Sequence, residues 1–220
     1  MLKNNELIAK TAEHVRGIME GEGSGHDWWH VYRVWQNAMM IGKHEDVDMV
    51  IVELAALLHD IADYKFHGGD HAVGPRIAGE WLASLGAEKV LIKQVQEIIE
   101  DISFKGAGVK KVVRSREGKV VQDADRLDAM GAIGIARCFA YGGFSKREIY
   151  NPEIKPVLHK SEYEYVNGKG TSVNHFYEKL LLLKNLMNTD TAKKIAEGRH
   201  AYMKEYLEIL MKEWEGKEWV

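Results

Sequence analysis

Four side chains drawn from distant stretches carry the clearest chemistry in this sequence. His59 and Asp60 sit in "LLHDIAD", at the end of a run whose preceding ten residues contain one charge, Glu53. Burying an imidazole and a carboxylate there without partners would cost several kcal/mol, roughly. A divalent cation satisfies both, and the partial negative charge of a helix C-terminus favours a cation at that place. His30, in "GHDWWHVYRV", flanks the apolar stripe of the preceding helix. A short connection near residues 43 to 47 predicts that the two helices pack antiparallel, which brings His30 to His59 and Asp60. Asp125, in "VVQDADRLDAMGAIGIA", is the fourth candidate. It reads either as a ligand or as a residue of a helix's first turn, with Asp123 the better cap if that helix starts at Ala124. Two imidazole nitrogens and two carboxylates, with no thiolate, suit one six-coordinate divalent ion with open positions. Mn²⁺ is the first expectation, with Mg²⁺, Fe²⁺, Ni²⁺, Co²⁺ or Zn²⁺ as alternatives.

The elements that must position these groups are helices. Apolar residues Val31, Val34, Trp35, Ala38 and Ile41 recur at helical spacing. Residues 47 to 62, "VDMVIVELAALLHDIA", are apolar nearly all round and predict a central helix. Further helices are expected over 3–20, 71–85, 87–101, 172–187 and 189–214, with Gly86 as a stop. A helix is also expected to resume in "DADRLDAMGAIGIARCFA". Residues 103–119 hold six Lys/Arg against one Glu, with glycines. They read as a loop, with a short strand at Lys111–Val113. Residues 141–170 read as a second long loop. No strand periodicity is sustained, so the fold class is all-α, one helical domain over residues 1–220.

Composition narrows the function. The chain has 220 residues, 45% apolar and 29% charged, with a formal net charge of -3. No basic excess points to nucleic acid. No apolar run is long enough to span a bilayer, and the start has no signal-peptide core. The single cysteine, Cys138, cannot pair within the chain and suits a reducing cytoplasm. Six of the ten histidines fall between His26 and His71, which marks that region as the site.

His30, then His59-Asp60, then Asp125 in "ADRL" resembles the HD superfamily of metal-dependent phosphohydrolases. The blocks "GHDWWHVYRV", "ELAALLHDIADYKFHGGD", "ISFKGAG", "VVQDADRLDAMGAIGIARCFAYGG" and "NHFYEKLLLLKNLMNT", in order, are similar to a single-domain bacterial and archaeal branch that includes nucleoside triphosphate pyrophosphohydrolases. The resemblance implies that His30, His59, Asp60 and Asp125 are the metal ligands; Asp27, or Ser24, reads as the cap of the helix that carries His30. It implies a (deoxy)nucleotide substrate, cleaved to the monophosphate and pyrophosphate. A 5′-nucleotidase, a two-iron oxygenase and a non-catalytic nucleotide-binding module are the alternatives. Asp63, one turn past Asp60, is the general-base candidate, and Asp128, one turn past Asp125, a candidate to orient a ligand or water. Arg33, Lys65, His67, Lys105 and His26 are substrate-binding candidates. The expected partner is a small phosphorylated molecule, with a homodimer as the assembly. Trp28 and Trp29 read as core and rim packing.

Overall fold

Several helix starts in this chain follow side chains that take up the free amides of a first turn. Asp27 accepts from the His30 amide at 2.9 Å and opens α2, Trp28–Gly42. Asp48 accepts from the Val50 amide at 2.9 Å and opens α3, Met49–Leu58. Thr171 and Thr189 do the same for the two helices nearest the C-terminus. The structure is a computed structural model and describes residues 2–21, 27–62, 70, 72–102, 112–158 and 170–217. Among these, every regular element is helical. Two compact units are present, Met1–Asp125 and Arg126–Val220.

The first unit is built around α3. Its residues Val52 and Leu54 to Leu58 are wholly buried, and it packs against α1 (Asn4–Met19), α2 and α5 (Lys89–Ile102). An all-round apolar helix has no face to offer water, so the centre is where it goes. Helix α2 covers α3 through Val31, Val34, Ala38 and Ile41, each with no exposed surface. The one charge inside α3, Glu53, accepts a hydrogen bond from Trp35 Nε1 at 2.9 Å across that contact. Helix α4, Val73–Ser84, packs on α5 and ends before Gly86, whose φ of +75° suits a residue without Cβ. His14 on α1 stacks flat on Trp81 at 3.6 Å, and burial holds its pKa below the ordinary value.

Helix α6, Arg116–Asp128, begins earlier than expected. Ser115 accepts from the Gly118 amide through its hydroxyl at 3.0 Å, so the basic stretch ends in a capped helix at 116 and not in a loop to 119. Asp123 is therefore no cap; it lies inside α6 with no exposed surface. The expected strand at Lys111–Val113 is absent among the described residues, since 112–114 are irregular. The α6 N-terminus is tied to the unit by Asp48, whose amide donates to Glu117 at 3.1 Å, and by the Arg114 side chain, which donates to the buried Asp101 carboxylate.

The second unit contains α7 (Gly131–Phe144), α8 (Ser172–Glu178), a 3-10 segment (Leu180–Leu186) and α9 (Asp190–Trp214). The single helix expected through "DADRLDAMGAIGIARCFA" is instead two. Gly131 has φ +69°, and a Cβ on Gly134 would stand 2.4 Å from the backbone of Ala129, so the chain turns a tight corner there. The helix expected over 172–187 also divides, at Lys179, where φ of -143° leaves the helical region. Helix α7 runs into the segment read as a loop from 141, and residues 145–158 are mostly irregular. Phe139, Phe176 and Tyr206 form an aromatic cluster with centroids 5.9 to 6.4 Å apart.

Candidate metal centre

The last turn of α3 leaves carbonyls without helical donors, and one of them orients His59. His59 Nδ1 lies 2.8 Å from the carbonyl of Ala56. A carbonyl can only accept, so Nδ1 carries the proton and Nε2 presents its lone pair. That Nε2 is buried and has no hydrogen-bond partner among the described residues. Its charged neighbour is the Asp60 carboxylate, with Oδ2 at 3.7 Å. In the neutral ring that nitrogen and the carboxylate oxygen are both acceptors.

His30 enters from the first turn of α2, fully buried. The turn joining α2 to α3 brings the start of one helix beside the end of the other, as expected from the short connection. His30 Nε2 lies 3.4 Å from Asp60 Oδ2 and 3.6 Å from Asp125 Oδ1. The two imidazole rings meet edge to face at 5.4 Å. His30, His59 and Asp60 each offer one ligand atom, and these atoms lie within 4.8 Å of one another. Bonds of about 2.1 Å to one ion put neighbouring donors about 3 to 4 Å apart, so the spacing fits a divalent cation. Asp125 stands at the His30 edge of this group on α6, with 45% of its side chain exposed.

The structure thus brings His30, His59, Asp60 and Asp125 into one place. Arg33 lies one turn along α2 from His30 and is half-buried. Asp63, Lys65, His67, Lys105 and His26 fall outside the described residues. Asp128 accepts a hydrogen bond from Arg137 at 2.7 Å. Arg126, beside Asp125, donates to the carbonyl of Leu186. Trp28 is buried and Trp29 is 54% exposed, matching core and rim. Two contributors escaped the sequence reading. The Ala56 carbonyl had no side-chain signal, whereas Ser115 was visible as a polar residue ahead of a charged helical turn.

Residues 28–130 match the HD domain family. YpgQ of Bacillus subtilis is 41% identical over 209 residues, covering 93% of this chain and 94% of that protein. A solved HD-superfamily hydrolase from Bacillus thuringiensis superposes with a TM-score of 0.76 and 44% identity, covering 97% of this chain and 99% of the other. The crystal structure of B. subtilis YpgQ in complex with ADP superposes with a TM-score of 0.73 and 35% identity, covering 96% and 100%.

Proposed function

The chain belongs to the HD superfamily of hydrolases, and from that premise we propose that it is a divalent-metal-dependent phosphohydrolase acting on nucleotides. The reaction converts a (deoxy)nucleoside triphosphate to the monophosphate and pyrophosphate. The observation that carries the reading is the buried His59 Nε2, which has no hydrogen-bond partner among the described residues and lies 3.7 Å from the Asp60 carboxylate. Such an arrangement is costly unless a cation completes it. The nucleotide is supported by the ADP held in the YpgQ crystal structure.

When bound, a divalent ion such as Mn²⁺ neutralises phosphoryl charge and lowers the pKa of water. The residues divide the remaining work. His30, His59, Asp60 and Asp125 hold the ion, and the Ala56 carbonyl keeps His59 in the tautomer that can ligate. Asp63 takes the proton of the attacking water on its carboxylate. Arg33, Lys65, Lys105, His67 and His26 bind the phosphates. The working enzyme is the whole chain, 1–220, as one domain. It acts in the cytoplasm as a homodimer, with the segments 103–119 and 141–170 serving substrate choice or the dimer contact.

The test is product analysis. Metal-stripped protein reloaded with Mn²⁺ is incubated with a panel of nucleoside and deoxynucleoside triphosphates and monophosphates. Pyrophosphate release is expected. Orthophosphate from monophosphates would reassign the enzyme as a 5′-nucleotidase, and nucleotide binding without any product would make it a binding module. Asp63→Asn should retain Mn²⁺ and lose about 10²- to 10⁴-fold in turnover; full turnover in that variant removes Asp63 as the base.

A further inference from the structure

Asn37 lies on α2 seven residues after His30, two turns along the same side of the helix. Its Nδ2 donates to the carbonyl of Ala124 at 3.3 Å. Ala124 directly precedes Asp125, whose Oδ1 is 3.6 Å from His30 Nε2. Two adjacent residues of α6 therefore meet α2 at positions about 10 Å apart along its axis, at 1.5 Å per residue. Buried Val120 and Val121 and the ties at its N-terminus already seat α6, and the Asn37 hydrogen bond adds a hold directly beside Asp125. Rotation decides the matter, because a slip of one residue swings a helical side chain by about 100°, enough to carry Asp125 off His30. Ala124 is fully buried, and its small side chain lets the amide of Asn37 reach the backbone. A carbonyl has two lone pairs, so this bond needs no helical hydrogen bond to break.

We propose that Asn37 is a positioning residue for the metal centre: its hydrogen bond to Ala124 sets α6 so that the Asp125 carboxylate faces His30. The proposal rests on the reading of Asp125 as a ligand. In this role Asn37 acts through α6 and not as a ligand.

A double-mutant cycle read by calorimetric titration of Mn²⁺ into the full-length, metal-stripped protein tests this. The four proteins are wild type, Asn37→Leu, Asp125→Ala and the double variant. Asn37→Leu is expected to weaken Mn²⁺ binding about 10-fold, the size of effect seen for outer partners of metal ligands. It should weaken it no further once Asp125 is Ala. An equal loss in both backgrounds, or no loss in either, overturns the proposal while leaving Asp125 a ligand. If Asp125→Ala binds Mn²⁺ like wild type, Asp125 is no ligand and the proposal falls with that reading. Asn37→Gln, which keeps an amide donor, should recover part of the affinity; a loss equal to that of Asn37→Leu counts against the hydrogen bond. Should Asn37→Leu show no cooperative thermal transition, Asn37→Ala takes its place in the cycle with the same expected outcomes.

Discussion

Asp125 and Asp128 are the same residue type, one turn apart on α6, and they meet opposite fates. Asp128 is 1% exposed and accepts a hydrogen bond from Arg137 at 2.7 Å, a guanidinium itself only 23% exposed. The chain supplies its counter-charge. Asp125 is 45% exposed and approaches the buried His30 at 3.6 Å, beside the Asp60 carboxylate and the lone pair of His59. There two carboxylates and two imidazoles of the metal-ligating type stand together. A carboxylate closed by an arginine is part of the architecture, while one beside two histidines and a second carboxylate is, in the proposed function, a metal ligand.

The largest expected effect comes from Asp60→Ala. Mn²⁺ affinity and turnover should both fall by more than the roughly 100-fold that loss of an outer partner costs, while the thermal midpoint of the metal-free protein does not fall. Titration calorimetry and a melt without metal check the two halves. A metal-free protein that melts far lower would show Asp60 to be structural after all.

Asp128→Ala should do the reverse. It removes the 2.7 Å carboxylate partner of a largely buried Arg137, so urea denaturation should report about 3 kcal/mol of lost stability. A variant with unchanged stability and lost Mn²⁺ binding would break the contrast and return Asp128 to the site.

The smallest effect is linkage. If the acceptor cluster awaits a cation, Mn²⁺ at 100 times its dissociation constant should stabilise the fold by about 2.7 kcal/mol. A chelator should reverse this, and Asp60→Ala should show none of it. Equal stabilisation of wild type and Asp60→Ala would place the ion elsewhere.

Much of this was legible beforehand, for local reasons. The periodicity of α2 and the unbroken apolar run of α3 state which faces are buried, and the short connection forces the two helices back on each other. That places His30 at His59-Asp60 without reference to any other part of the fold. The breaks at Gly131 and Lys179 were not legible. Each depends on a corner whose packing partners, such as the Ala129 backbone beneath Gly134, are known only once the chain has folded. The same holds for Ser115, since a serine caps a helix only if the residues after it have a core to pack on.

On its own, the order of residues determined an all-helical protein carrying a set of histidines and aspartates of metal-binding type. Side-chain chemistry and the 3.6-residue repeat are properties of short stretches, readable wherever they occur. Tertiary structure alone decided which aspartate is closed by Arg137 and which faces His30. Burial, distance and the choice of counter-charge arise between residues far apart in the chain, so they take values only when the helices have packed.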